Sequence, residues 1–382
     1  MRSIEILDRL IAFPTVSRDP NIALIDHARA LLEAAGARIT VIPDAGGGKA
    51  NLFATIGPAD RPGVMLSGHT DVVPVDGQDW SSDPFRLVDR EGKLFGRGAA
   101  DMKGFVASAL AAAEEAGRRR LSTPLHIALS YDEEVGCLGV RSLIDMMEAA
   151  PIRPLFCIVG EPTAMQVATG HKGKRGLRAI CRGREGHSAL APMALNALHL
   201  AADFIGAIRA EQARIEAEGL RDGDYDVPYT TLHVGKIAGG VALNIVPNRA
   251  EIEFEIRNLA GDDADAILAG LAEKGDAIAA ATGDPAASIS FTEFMGYPGL
   301  DTPPSAEIVS FVKGLTGGNS TIKVAYGTEG GLFSARLGTP TVVCGPGSME
   351  QGHKPDEFVS RAQMAACDSM MAALLGRLEA GL

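Results

Sequence analysis

A histidine and an aspartate stand two residues apart at the end of a short apolar segment, in the stretch "GVMLSGHTDVVP". Residues i and i+2 of an extended chain share a face, so His69 and Asp71 can point to the same side. A metal-bound imidazole usually has its second nitrogen held by a carboxylate or a carbonyl, and Asp71 can supply that group. Taken alone, the pair is more typical of a histidine that is hydrogen-bonded in a turn.

Further acidic and imidazole side chains follow other predicted strands or precede a helix. Asp101 lies in "GRGAADMKG" before a helical segment, and Glu133 and Glu134 follow the strand-like "LHIALS". Glu161 ends the strand-like "FCIVG", and His353 follows "TPTVVCG". Charged residues that simply face solvent would account for any one of these positions, but they account poorly for the whole set. Because α/β sheets build their sites beyond strand ends, the set indicates a common site.

Two histidines and several carboxylates without a cysteine suit zinc, cobalt or manganese. The set is too large for one tetrahedral ion, whereas two ions bridged by a carboxylate would use all of it. Neighbouring side chains of an extended segment point to opposite sides, so Glu133 and Glu134 cannot both aim at one point. We expect one of them to ligate an ion while the other stands nearby as a base.

Composition and missing motifs exclude several classes of protein. The net charge of −12 argues against a nucleic-acid binder. Five cysteines without C-x-x-C spacing predict reduced, mostly buried thiols. No apolar segment approaches the ~18 residues of a membrane span, and the acidic N-terminal segment is unlike a signal peptide, so we expect a cytoplasmic protein. A G-x-S-x-G elbow, a complete P-loop and a complete dinucleotide fingerprint are all missing.

The elements that must position these residues follow two patterns. Before residue 170, helices alternate with apolar strands, which predicts an α/β domain with a mostly parallel sheet. From about 174 to 295 the order becomes β-α-β-β-α-β, typical of a ferredoxin-like α+β domain. The glycine-rich "GHKGKRG" and "MGYPGLDTPP" are interpreted as linkers, and His171 and Lys172 in the first as solvated charges. We predict a catalytic domain from 1–173 and 296–382, with 174–295 inserted.

Six motifs, in this order along the chain, resemble those of the di-zinc amidohydrolases: "SGHTDVVP", "GRGAADMKG", "YDEEVG", "GEPT", "GREGHSA" and "GPGSMEQGHKPDE". That family includes acetylornithine deacetylase, succinyl-diaminopimelate desuccinylase, aminoacylase and carboxypeptidase G2. The resemblance covers essentially the whole chain and is greatest to the acetylornithine deacetylases. Three features depart from the usual pattern: the alanine in "RGAAD", the glycine in "EGHSA" and the segment "GTEGG". None of them is a metal ligand.

The resemblance implies a centre of two divalent metal ions, with zinc expected first and cobalt or manganese as alternatives. Its ligands correspond to His69, Asp101, Glu134, Glu161 and His353. Asp101 corresponds to the carboxylate that bridges the two ions. Glu161 and His69 complete the first site, and Glu134 and His353 complete the second.

The resemblance also implies the remaining roles. Asp71 corresponds to the partner that orients His69, and Glu133 to the general base. His187 corresponds to a histidine that approaches the active site from the partner subunit of a dimer. Asn244 and Arg257 correspond to residues that contact the carboxylate end of the substrate. From the sequence alone, His187 would be interpreted as a surface histidine and Arg257 as a partner of neighbouring glutamates.

The implied function is hydrolysis of N2-acetyl-L-ornithine to L-ornithine and acetate, a step of arginine biosynthesis. The alternatives are a desuccinylase, a general N-acyl-amino-acid hydrolase or a dipeptidase, which share the metal site and differ in the substrate pocket. The alternative that is not an enzyme is a binding module stabilised by metal ions, and the presence of Glu133 argues against it. The expected partners are a small N-acyl amino acid and a second copy of the chain, with no nucleic acid and no membrane. The inserted domain is expected to serve as a lid or dimerisation domain.

Overall fold

The computed structural model describes all 382 residues. The chain forms two compact units: unit 1 combines Met1–His171 with Leu300–Leu382, and unit 2 is Lys172–Gly299. The insertion expected from the sequence, 174–295, falls inside unit 2, and its role as a lid or dimerisation domain stays a prediction. None of the helices has the length and apolar character that a membrane crossing requires. All five cysteines are buried free thiols.

The helices are α1 (Arg2–Ile11), α2 (Ile22–Ala34), α3 (Lys103–Ala116), α4 (Val140–Ala149), α5 (Ala197–Glu218), α6 (Ala264–Ala281), α7 (Glu307–Thr316), α8 (Gly330–Leu332) and α9 (Arg361–Ala380). A 3₁₀-helix covers Ser188–Met193, and a π-helical turn covers Phe333–Leu337. The strands are β1 (Arg38–Pro43), β2 (Ala50–Ile56), β3 (Val64–His69), β4 (Val88–Arg90), β5 (Lys93–Phe95), β6 (Leu125–Ser130), β7 (Phe156–Pro162), β8 (Val167–His171), β9 (Lys174–Arg182), β10 (Gly186–His187), β11 (Thr231–Gly239), β12 (Ile245–Val246), β13 (Arg249–Arg257), β14 (Ser288–Tyr297), β15 (Leu300–Asp301), β16 (Thr321–Val324), β17 (Thr341–Gly345) and β18 (Phe358–Ser360).

Unit 1 is built on a nine-stranded sheet in the order β1-β2-β6-β3-β7-β17-β8-β15, with β16 beside β8. The neighbours β6, β3, β7 and β17 are parallel, whereas β1, β2 and β15 pair in antiparallel fashion. Every residue of those four parallel strands is buried, as expected of strands covered on both faces. The predicted α/β class with a mostly parallel sheet is confirmed, and antiparallel strands extend it.

Helix α3 packs so closely on the sheet that one strand position must be glycine. A side chain at Gly160 in β7 would collide with the ring of Phe105 in α3. Ten of the other thirteen residues of α3 are buried as well, many of them alanines that permit close approach. This contact fixes the strand residue just before Glu161 relative to the helix that begins after Asp101.

Unit 2 has the β-α-β-β-α-β order expected from the sequence. Its antiparallel sheet runs β11-β13-β9-β14, the strand order of a ferredoxin-like domain. Along β13, Ala250, Ile252, Phe254 and Ile256 are buried and form a core with residues of α5 and α6. The alternate residues carry the charges, for example Glu253, which accepts ion pairs from Arg178 and Lys236.

The interpretation of His171 and Lys172 as solvated charges was wrong, because both side chains are buried. His171 Nε2 accepts a hydrogen bond from the backbone N–H of Gly331 at 3.1 Å. Lys172 Nζ donates to the carbonyls of Val227 and Tyr229 at 2.9 and 2.6 Å. These bonds make burial possible, since a buried polar group is costly only when it lacks a partner. Both predicted linkers are also shorter than expected, because the flanking strands run into them.

Burial of His126 predicts that unit 1 loses stability in mild acid. The Nδ1 atom of this buried side chain lies 2.9 Å from Thr55 Oγ1, and burial lowers its pKa from 6.5 to about 4. Between these pH values the unfolded chain binds a proton that the folded chain does not. The free energy of unfolding therefore falls as the pH drops through this window, by up to about 3 kcal/mol. Urea unfolding from pH 7 to 4 should show a smaller loss for His126→Gln, and parallel curves would contradict the assignment.

Candidate metal centre

The side chains predicted as metal ligands come from strand ends of unit 1 and from the loops that follow strands or precede a helix. His69 is the last residue of β3, and Glu161 lies one residue before the end of β7. Glu134 follows β6, and His353 lies in the loop between β17 and β18. Asp101 stands two residues before α3. Because β3, β6, β7 and β17 are parallel neighbours, the structure brings these residues to one edge of the sheet.

Asp101 offers one carboxylate oxygen to each of the two histidines. His69 Nε2 lies 3.0 Å from Asp101 Oδ1 and 3.6 Å from Glu161 Oε1. His353 Nε2 lies 3.2 Å from Asp101 Oδ2 and 3.1 Å from Glu134 Oε2. The carboxylate is thus shared by two groups of ligand atoms, as a bridging ligand of two ions must be.

The neighbours Glu133 and Glu134 enter different groups. Ligand atoms of His69, Glu133 and Glu161 lie within 4.8 Å of one another, as do those of His69, Asp101 and Glu134. The Sγ–H group of Cys137 donates to Glu133 Oε1 at 3.4 Å. The two adjacent carboxylates therefore share His69 as a neighbour but differ in their other contacts, which are Glu161 and Cys137 for Glu133, and Asp101 and His353 for Glu134.

His69 is oriented by the backbone of Asp71 rather than by its carboxylate. His69 Nδ1 lies 2.9 Å from the Asp71 carbonyl oxygen and 3.6 Å from Asp71 Oδ1. Since a carbonyl only accepts, Nδ1 carries the proton and Nε2 is left for a metal ion. The Asp71 carboxylate accepts from the hydroxyl of Ser17 at 2.6 Å and from the backbone N–H of Glu133 at 3.2 Å. Asp71 therefore contacts both His69 and the segment that carries Glu133.

The electrostatics of the centre show an excess of buried carboxylates. Burial raises the pKa of Glu133 and of Glu161 well above the usual range; neighbouring carboxylates raise it further, and the charge of His69 opposes them. Burial and the charge of Asp101 raise the pKa of Glu134 to about 7. Hydrogen bonds to Asp101 and Glu134 raise the pKa of His353 to about 10. The carboxylates are thus disfavoured as anions mainly by burial, and their negative neighbours add to that cost.

The residues present fit a pair of divalent cations. Glu134 Oε1 is buried without a hydrogen-bond partner, so it is an acceptor still open to a cation. Imidazole nitrogens and carboxylate oxygens without a thiolate are the donors that zinc, cobalt and manganese accept. Two cations would also balance the four carboxylates of Asp101, Glu133, Glu134 and Glu161.

The pattern of peptidase family M20/M25/M40 matches residues 65–377. The chain belongs to this family. An acetylornithine deacetylase from Pasteurella multocida (strain Pm70) is 35% identical over 394 residues, covering 99% of this chain and 98% of the relative. These findings confirm the resemblance inferred from the six motifs and the prediction of a hydrolase.

Solved structures of the M20 family share the fold. An M20 family metallo-carboxypeptidase from Sulfolobus solfataricus superposes with a TM-score of 0.80 at 17% identity, covering 100% of both chains. A dinuclear metal-binding M20 peptidase from Bacillus subtilis superposes with a TM-score of 0.72 at 16% identity, covering 98% of this chain and 96% of that one. The architecture is therefore that of the M20 fold.

The structure places the three predicted site residues of unit 2 in two locations. His187 ends β10 and pairs with Ile245 of β12, next to Asn244. Arg257 is the last residue of β13, where its Nε donates to Glu255 Oε1 at 3.1 Å and its Nη1 to the Tyr297 hydroxyl at 3.2 Å. The length of β13, roughly 26 Å between its ends, separates Arg257 from the other two.

Sequence reasoning missed several charged residues of this M20 chain that are buried near the centre. Glu329 in "GTEGG" is buried, its Oε1 has no hydrogen-bond partner, and burial raises its pKa to about 7. Lys103 is buried at the start of α3, where its Nζ donates to the Phe13 carbonyl at 2.8 Å and burial lowers its pKa to about 7. Arg97 and Glu357 form a buried ion pair. Their positions inside the motifs were the only signal in the sequence.

Proposed function

We propose that this chain is a di-metal amidohydrolase that cleaves N2-acetyl-L-ornithine to L-ornithine and acetate. The observation that carries the proposal is the pair of ligand groups that share Asp101, which supports a two-ion hydrolytic centre. The substrate is supported by the 35% identity to the Pasteurella multocida protein named acetylornithine deacetylase. A place in arginine biosynthesis and in the cytoplasm belongs to the same proposal.

In this proposal His69, Asp101 and Glu161 hold the first ion, and Asp101, Glu134 and His353 hold the second. Zinc is the first choice, and cobalt and manganese are alternatives because they also accept imidazole nitrogens and carboxylate oxygens as ligands. Ions bound here supply Lewis-acid chemistry: they polarise an amide carbonyl and lower the pKa of water.

Glu133 is proposed as the general base. Its backbone N–H is held by Asp71 and its Oε1 accepts from Cys137, so the carboxylate has a defined position beside His69 and Glu161. Burial raises its pKa, which makes the carboxylate a better proton acceptor than an exposed glutamate. Glu133 takes a proton from the attacking water and returns it to the leaving amine nitrogen.

His187 is proposed to stabilise the negative charge that develops on the carbonyl oxygen. The backbone N–H of Ala189 donates to His187 Nδ1 at 3.1 Å. The neutral imidazole therefore carries its proton on Nε2, where it is a donor for an oxyanion. The backbone N–H of Ser188 donates to the Asn244 carbonyl at 3.0 Å, so Asn244 is held beside the histidine.

We propose further that His187 and Asn244 serve the partner subunit of a homodimer. Around β10 and β12, unit 2 exposes apolar side chains, including Leu190, Met193, Val241, Leu243 and Ile245. Val241 is 87% exposed and Leu243 completely so, and clustered apolar exposure of this kind is typical of a protein interface. A trans arrangement also agrees with the separation of Asn244 from Arg257, because a small substrate cannot reach both ends of β13 in one chain.

The substrate proposal predicts a ranking of specificity constants. Acetylornithine should have a higher kcat/KM than succinyl-diaminopimelate, acetylmethionine or dipeptides, because the overall similarity is to acetylornithine deacetylases. The assay measures release of the free amine by the metal-loaded protein. A higher kcat/KM for succinyl-diaminopimelate would contradict the substrate while leaving amide hydrolysis intact, and hydrolysis of none of them would favour a binding module.

A further inference from the structure

A buried ion pair lies behind the metal centre and takes no part in the mechanism above. Arg97 Nη1 donates to Glu357 Oε2 at 2.7 Å, and both side chains are only 1% exposed. The ring of Trp80 lies 5.0 Å from the Arg97 guanidinium carbon. A buried charge pair is costly unless its remaining hydrogen-bonding groups are used, so its other contacts indicate its purpose.

The Glu357 end of this pair holds the backbone of the bridging carboxylate. Glu357 Oε1 accepts from the backbone N–H of Ala100 at 2.9 Å and from that of Asp101 at 3.1 Å. The second oxygen of the same carboxylate is bound to Arg97. Arg97 therefore binds the same carboxylate that holds the main chain of Asp101.

The Arg97 end reaches the main chain of His353. Arg97 Nη2 donates to Gln78 Oε1 at 2.5 Å, and Gln78 Nε2 donates to the His353 carbonyl at 3.1 Å. His353 has a φ of 61°, in the left-handed region that residues other than glycine seldom adopt. The hydrogen bond from Gln78 therefore holds a backbone conformation that the loop would not adopt by local preference.

The two histidines of the centre differ in how much support they need. His69 is buried at the end of a central strand, whereas the side chain of His353 is 47% exposed in a loop. Glu161 likewise belongs to a central strand. The first group of ligands is thus held by the sheet, whereas the main chain of the loop ligand His353 is linked to the main chain of Asp101 through Gln78, Arg97 and Glu357.

We propose that Arg97 and Gln78 are positioning residues that set the placement of His353 relative to Asp101 and thereby the affinity for the second metal ion. The inference rests on the proposed function, because it takes Asp101, Glu134 and His353 as the ligands of that ion. Hydrogen-bonding partners of metal ligands typically change metal affinity by about 10- to 100-fold when they are replaced. Loss of the Gln78 contact should act selectively, since His69 and Glu161 do not depend on it.

The experiment titrates the metal-free full chain with Co²⁺ and follows the absorption of each bound ion. Gln78→Met keeps the side-chain length and removes all three side-chain hydrogen bonds of Gln78, namely those with His353, Arg97 and the Trp80 indole N–H, at a half-buried position. It should leave the first dissociation constant unchanged and raise the second by about 10- to 100-fold. Arg97→Lys should weaken the second ion more than the first, because one ammonium cannot reproduce the contacts with both Glu357 and Gln78, and Glu357 also holds the backbone of the shared Asp101. Arg336→Met, which breaks ion pairs with Asp145 and Glu148 elsewhere in unit 1, is the control and should change neither constant.

Saturating Co²⁺ should return the turnover of Gln78→Met towards the wild-type value, which a general loss of folding would not allow. Unchanged affinity for both ions in Gln78→Met would overturn the positioning role while leaving the two-ion centre intact. Equal weakening of both ions, accompanied by a lower melting temperature of the metal-free protein, would overturn it as well. A wild-type chain that binds a single ion would contradict the proposed function itself, and with it this inference.

Discussion

Glu133→Gln should retain both metal ions and hydrolyse acetylornithine about 10²- to 10⁴-fold more slowly than the wild-type chain. The amide of glutamine cannot accept the proton of the attacking water. The substitution keeps the shape of the side chain and the backbone bond to Asp71. The loss should therefore fall on kcat rather than on metal content.

The neighbouring substitution should have the opposite profile. Glu134 Oε2 lies 3.1 Å from His353 Nε2, and its other oxygen is buried without a partner. Glu134→Gln removes a negative charge from the second group of ligands, so occupancy of one ion should fall while the first ion stays bound. Turnover should then recover in part as the concentration of free metal is raised.

Metal analysis beside steady-state kinetics separates the two variants. Glu350→Gln, an exposed glutamate of the loop that carries His353, is the matched control and should leave metal content and turnover unchanged. Equal loss of metal in Glu133→Gln and Glu134→Gln would mean that both residues ligate, and the assignment of Glu133 as the base would be wrong.

His187→Ala should lower kcat about 10²- to 10³-fold with little change in metal content, because it removes a donor to the oxyanion rather than a ligand. His187 is exposed and its side chain accepts only from the local N–H of Ala189, so the substitution should not disturb the fold of unit 2. Circular dichroism and metal analysis of the purified variant provide the check.

Mixing the two inactive variants tests whether His187 acts across a dimer. In a mixed dimer of His187→Ala with Glu133→Gln, a trans arrangement gives one site that has both an intact Glu133 and an intact His187. Activity should recover to about half the wild-type value per mixed dimer, since one of its two equivalent sites is complete. If each His187 serves its own chain, no site is complete. Demonstrated subunit exchange without recovery would therefore refute the trans assignment.

Much of the centre was predictable because it depends on local patterns. His69 and Glu161 follow apolar segments that are long enough for strands, and parallel strands bring their carboxyl ends to one edge of a sheet. The separation of Glu133 from Glu134 was expected from the period of two in an extended chain, but the segment that follows β6 forms a turn, so their placement depends on that turn. The order of strands and helices in unit 2 was also predictable, because hydrophobic residues recur with a different period in strands and in helices.

Other features depended on partners that are distant in the chain. Whether Asp71 holds His69 through its carbonyl or its carboxylate depends on Ser17 and the Glu133 amide, which occupy the carboxylate. Lys172 was expected in solvent, yet it is buried because two carbonyls more than fifty residues away accept its protons. A charged residue type by itself does not reveal whether such partners exist.

The sequence by itself determined which residues have metal-binding chemistry and at which element ends they stand, because strand and helix patterns are local properties of the chain. Only the tertiary structure decided how those residues are held. Arg97, Gln78 and Glu357 resemble surface residues in the sequence, and they become a buried support when the segments around 78, 97 and 357 meet. The free energy of a buried charge depends on the groups that surround it, and folding alone brings those groups together.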